Sequence, residues 1–143
     1  MAVVVLDSNV LIDYKDTSAD DRHERAEEIV RAVDSGNLPA ARITNYVLLE
    51  TLNWIHERQR HDIAVDLRER LGQSAGFELV HAAQADFHRA VELFEQYETL
   101  SFGDATITAY MQREGIEYLY SFDDDFDVID GISRLDTATN PFE

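Results

Sequence analysis

The run "AVVVLD", residues 2–7, constrains this chain more than any other stretch. Its apolar positions do not alternate with polar ones, so it suits a strand covered on both faces. A strand of that kind needs helices above and below it, and the rest of the chain supplies them. "NVLIDYK" follows as a short helix, and "SADDRHERAEEIVRAVDSG" (18–36) is an amphipathic one. In the latter Ser18 can cap, acids fill the first turn and Gly36 ends the helix. "PAARI" (39–43) is a second strand. A helix capped by Asn45 runs to about Gln59 with Leu48, Leu52 and Ile55 on one face. Another spans about 62–72, and "FELVHA" (77–82) is a third strand. Helices at 84–97 and 102–115, the latter stopped by Gly115, precede a fourth strand at 117–122. "ISRLDT" (132–137) is a candidate fifth. Alternation of this kind predicts the α/β class: a three-layer α/β/α sandwich with a central parallel sheet of four to five strands. Without a repeat or a Pro/Gly/Ser linker, residues 1–143 are expected to form one domain.

Ligands of parallel sheets sit beyond the carboxyl ends of the strands, so polar residues at those ends carry the functional signal. Asp7 ends the first strand and Asp123 the fourth, in "LYSFDDDF". Asp104 lies in the first turn of the helix opened by "LSFGDA", and Glu50 interrupts the apolar run "VLLETL". Taken singly, each has an ordinary role. Asp7 can be a helix cap, Asp104 a partner for a helix dipole, Glu50 the edge of a buried face. The five aspartates between Asp123 and Asp130 can be a solvated turn. Together they would meet on one sheet edge. Two carboxylates about 4 Å apart repel by roughly 4 kcal/mol at an effective dielectric of 20, so such a cluster calls for a cation. Oxygen donors without histidine or cysteine suit Mg²⁺ or Mn²⁺.

The four motifs in this order, "LDSNVLID", "LLETLN", "LSFGDA" and "SFDDDF", resemble the PIN-domain ribonucleases, and in particular VapC-type toxins. The resemblance covers essentially the whole chain. It implies a PIN-like fold and a Mg²⁺- or Mn²⁺-dependent ribonuclease whose products carry 5′-phosphate and 3′-hydroxyl ends. Carried over by position, it makes Asp7, Glu50, Asp104 and Asp123 the acidic quartet. Asp125 would be a further ligand position, with Asn9 and Ser121 as supporting polar residues. Asp7 and Asp104 would be primary ligands of one ion, the others binding it directly, through water, or through a second ion. The resemblance also implies an RNA substrate, a small antitoxin that inhibits the toxin, and a homodimer. Tyr46, Val47 and Trp54 offer a candidate contact surface, unless Trp54 is simply core. His56, His61, His81 and His88 show no ligand spacing with the quartet.

Charge bears on the setting. There are 29 acidic against 12 basic residues, a net of −17, and Lys15 is the only lysine. With 45% hydrophobic residues this is not a disordered acidic tail. An ordered domain so charged repels itself in dilute buffer, and molar salt shortens the screening length to about 3 Å. The composition resembles that of proteins from salt-loving archaea; an ordinary acidic protein is the alternative. No cysteine is present, so disulfides and thiolate sites are excluded. An N-terminus without a basic leader, and no apolar run of membrane-spanning length, lead to the expectation of a cytoplasmic protein. Two other functions compete. A non-catalytic PIN-type module would bind RNA or protein. An aspartyl-phosphate phosphatase would need a second aspartate where Asn9 stands, and a lysine that only Lys15 could supply.

Overall fold

A computed structural model describes residues 2–143. Five strands form one parallel sheet in the order β3-β2-β1-β4-β5. They are β1 (Val3–Leu6), β2 (Ala40–Thr44), β3 (Phe77–Val80), β4 (Tyr118–Tyr120) and β5 (Ser133–Leu135). The valine run is the central strand, and every residue of β1 is buried, as its unbroken apolar character requires. Six helices connect the strands: α1 (Ser8–Lys15), α2 (Asp21–Asp34), α3 (Asn45–Arg58), α4 (His61–Gln73), α5 (Gln84–Gln96) and α6 (Phe102–Glu114).

The chain moves outward from β1 through β2 to β3 and then returns past the centre to β4. Right-handed crossovers place the outward and returning connections on opposite faces. Accordingly α1 packs on α2 and α3, and α3 on α4, while α5 packs on α6. Residues Asp104–Met111 of α6 are buried without a break. That helix therefore shows no polar stripe along its middle. The core joins Leu6, Leu11, Ile29, Ile43 and Ile55 to Ile107, Met111 and Tyr120. One close approach depends on glycine. A Cβ at Gly76 would lie 2.1 Å from the carbonyl oxygen of Val33, so a side chain there would push α2 off the sheet.

Two helix starts differ from the sequence expectation. Ser18 does not cap α2: it lies in a 3-10 turn, Thr17–Ala19, where its amide donates to Asp16. The helix begins three residues later, after Asp20 at φ 55°. The acidic side chain of Asp16 captured the serine amide before a helix could start there. Asn45 does not cap α3 either. Thr44 does, its Oγ1 accepting from the Val47 amide at 3.2 Å. Asn45 is the first helical residue, and its Oδ1 accepts from the Ala82 amide at 2.7 Å, tying α3 to the segment after β3. Trp54 is half-buried beneath Arg58. No helix among the described residues is long and apolar enough to cross a membrane.

Strand order reverses between β1 and β4, the point at which parallel sheets open a crevice. Leu6 pairs with Tyr120, and the Asp7 amide extends the ladder to the Tyr120 carbonyl at 3.0 Å. Asp7 and Ser121 thus leave the two central strands side by side.

Candidate metal centre and active site

At this crevice the acidic residues of four distant segments converge. Carboxylate oxygens of Asp104, Asp123 and Asp125 lie within 4.8 Å of one another. Among the described residues they are the one group of three or more potential metal-ligating side chains so close. Ser101 fixes the first of them, its hydroxyl capping α6 by accepting from the Asp104 amide at 3.1 Å. The turn after β4 fixes the others. Asp123 Oδ1 accepts from the Asp125 amide at 2.9 Å, so both carboxylates ride on one tight 3-10 turn.

Asp7 stands behind this trio, 3% exposed. It does cap α1: Oδ1 accepts from the Ser8 amide at 2.7 Å, and Oδ2 accepts from the Ser121 hydroxyl at 2.7 Å. The helix-capping and active-site alternatives for Asp7 are therefore compatible. Ser121 is a hub. While donating to Asp7, its oxygen accepts from the Asp123 amide at 3.0 Å and from Asn9 Nδ2 at 3.3 Å. Asn9 Oδ1 in turn accepts from the Phe122 amide at 3.3 Å. Hydroxyl and amide together hold the ends of β1 and β4 in one register.

Glu50 approaches from α3. The residue is exposed, but its carboxylate lies against Gly103, where a Cβ would sit 2.8 Å from Glu50 Oε1. The glycine of "LSFGDA" was not singled out from the sequence, yet it makes room for Glu50 beside Asp104. Gly103→Ala is expected to divorce stability from function. Alanine favours a helix by up to about 1 kcal/mol over glycine. It would also push the Glu50 carboxylate out of the crevice. Melting and cleavage assays on one preparation should show an unchanged or higher midpoint with reduced turnover.

The electrostatics record how crowded the crevice is. Burial raises the Asp7 carboxyl to about 6, against the hydrogen bonds from Ser121 and Ser8 and with help from Glu50 and Asp123. Asp104 is pushed up to about 8, first by burial, then by the charge of Asp7 and by its contact with Asp123. Partial enclosure of its carboxylate raises Glu50, and the charge of Asp123 raises Asp125. Carboxylates forced to keep protons near neutral pH lack a counter-charge. The donors are all oxygen, with no imidazole or thiolate among them, which fits a hard divalent cation.

Two arginines are engaged by other acidic residues. Arg42 pairs with Glu114 and Glu78, and Arg113 makes a two-pronged contact with the buried Asp86. His56 and His61 face each other across the α3–α4 junction, Nδ1 to Nδ1 at 3.1 Å.

Known proteins share the fold of this chain. Residues 4–132 match the PIN domain family. No curated protein matches the chain. Among solved structures, it is similar to VapC20 of Mycobacterium tuberculosis, described as a Sarcin-Ricin loop cleaving toxin, at 25% identity and TM-score 0.73. That match covers 87% of this chain and 93% of that one. A toxin-antitoxin complex from Klebsiella pneumoniae matches at 22% identity and TM-score 0.64, covering 96% of this chain and 98% of that one. VapBC-1 from nontypeable Haemophilus influenzae matches at 15% identity and TM-score 0.68, covering 94% and 97%. With a family match over nine-tenths of its length, the chain belongs to the PIN-domain family.

Proposed function

We propose that this protein is a Mg²⁺- or Mn²⁺-dependent ribonuclease of the VapC toxin type, hydrolysing RNA phosphodiester bonds and held inactive by a small antitoxin. The observation that carries the proposal is the carboxylate trio at the β1–β4 crevice, with Asp7 behind it and Glu50 beside it. Asp104, Asp123 and Asp125 are the residues that would hold the ion. When bound, a divalent cation supplies Lewis acidity at the phosphodiester and offsets charge on the departing oxygen. The protein's own residues orient and restrain. Ser121 donates to Asp7, and Asn9 accepts from the Phe122 amide, which ties the segment leading to Asp123 to α1. Glu50, on a different helix, brings its carboxylate against Gly103, the residue before Asp104.

A chain of net charge −17 gains little from bulk attraction to a polyanion. That attraction would in any case weaken steeply in molar salt. Binding then falls to short-range contacts at the crevice. The same acidic pocket suits an antitoxin that inserts a basic side chain, and a homodimer completes the proposed assembly. The test is RNA cleavage in about 2–3 M KCl, where screening is nearly complete. Cleavage with Mn²⁺ that leaves 5′-phosphate and 3′-hydroxyl ends, and stops with EDTA, is the expected result. Metal-independent cleavage, or RNA binding without turnover, contradicts it.

A further inference from the structure

The turn that carries Asp123 and Asp125 is gripped from behind by a residue outside the acidic motifs. Arg134, on the outer strand β5, makes a two-pronged contact with Asp127, Nε to Oδ1 at 2.9 Å and Nη2 to Oδ2 at 3.1 Å. Its third arm, Nη1, donates to the Ser121 carbonyl at 3.3 Å. Ser121 and Asp127 are the two ends of the loop that holds both aspartates. One guanidinium therefore closes the loop at its base.

The pair differs from an ordinary surface ion pair. Single exposed pairs contribute little, but a planar fork on a carboxylate adds geometric restraint. The Arg134 side chain is 17% exposed, so much of its length is held by packing. It stands beside Asp136, which is also reached by Arg25 of α2, and Arg25 lies over the Phe122 ring at 5.0 Å. Two arginines thus contact this loop, at Ser121, Phe122 and Asp127.

We infer that Arg134 is a positioning residue that clamps Ser121 to Asp127 and so presents Asp123 and Asp125 together for cation binding. The cation part of this inference rests on the proposed metal-dependent function; the clamp on the loop does not. A lysine can supply the charge at this position but cannot span both oxygens of Asp127 and the Ser121 carbonyl at once.

Two readouts on the intact chain test it, both in about 2 M KCl. The first is Mn²⁺ affinity by calorimetry for wild type, Arg134→Gln, Arg134→Lys and Asp127→Asn. The second is amide hydrogen exchange at Asp123 and Asp125 in the metal-free proteins, set against exchange in β1 as a measure of global stability. Loss of a residue that orients metal ligands typically weakens binding by about 10-fold or more. The expected result is that order of loss in both Arg134 variants and in Asp127→Asn, with faster exchange at the two loop amides and little change in β1. Affinity within about twofold of wild type in Arg134→Gln, or full rescue by lysine, overturns the clamp. Uniformly faster exchange across loop and β1 makes Arg134 a general fold residue and also overturns it. Should Arg134→Gln fail to fold, Asp127→Asn decides, since Asp127 is half exposed and removes the fork from the other side. If wild type binds no Mn²⁺, the metal reading fails, while the exchange comparison still decides whether Arg134 holds the loop.

Discussion

Asp104→Asn is expected to leave less than about 1% of wild-type RNA cleavage while making the metal-free protein more stable. Both effects have one cause. Metal-assisted stabilisation of a reaction is worth several kcal/mol, and each 1.36 kcal/mol is tenfold in rate, so losing an anionic ligand costs about 100-fold or more. In the absence of the ion, the same carboxylate is a liability. Burial and the neighbouring Asp7 and Asp123 raise Asp104 to about 8, against an ordinary value of 3.8. A carboxyl whose folded pKa lies above its unfolded one binds more protons in the folded state between those values. Stability is then fully present below the unfolded pKa and is lost as pH rises through the folded one. Asp7, raised to about 6, acts in the same direction. Metal-free wild type should accordingly lose stability from about pH 4 to pH 8, and the slope should flatten in Asp104→Asn. At pH 8 the neutral amide should gain on the order of 1–2 kcal/mol, about 3–7 °C in midpoint for a chain of this length. Thermal melts across pH with EDTA, beside cleavage assays with Mn²⁺, check both halves. A variant that cuts normally, or one less stable than wild type at pH 8, would contradict the assignment.

The second large effect concerns salt. Moving metal-free protein from about 0.1 M to 2 M KCl should raise its unfolding midpoint by about 10 °C or more, as the screening length falls from about 10 Å toward 3 Å. The source is the repulsion among 29 acidic residues set against 12 basic ones. Part of it is concentrated at the crevice, where Asp7, Asp104 and Asp123 act on one another. Adding Mn²⁺ at low salt should therefore recover some of the lost stability, and should recover less in Asp104→Asn. Equal midpoints at both salt concentrations would mean that the acidic surface is a passive coat and would set aside the halophile reading.

The central strand and the parallel order were legible because the valine run admits no wet face, and because helices alternate with strands throughout. The positions of the acids followed from the strand ends: Asp7 and Asp123 had to share an edge once the sheet was parallel. Fine placement was less legible. Ser18 looked like a helix cap, but the competing bond from Asp16 is a choice between near-equal local partners. Thr44 and Asn45 are adjacent capping residues, and only the contact of Asn45 with Ala82, thirty-seven positions away, separates their roles. Gly103 carried a weak signal in sequence, a glycine in the first turn of a helix, whose meaning depends on Glu50 arriving from α3. Arg134 carried none, since its link to Ser121 and Asp127 exists only after β5 has paired with β4. The trio itself was only partly legible. Asp125 meets Asp104 and Asp123, whereas Asp7 spends hydrogen-bonding capacity on Ser8 and Ser121.

The most direct measurement is anomalous diffraction at the manganese edge from crystals grown with Mn²⁺. A peak within bonding distance of Asp104, Asp123 and Asp125 carboxylate oxygens is expected. Ordered density for all three side chains with no manganese between them, or manganese bound only at another acidic patch, would contradict it.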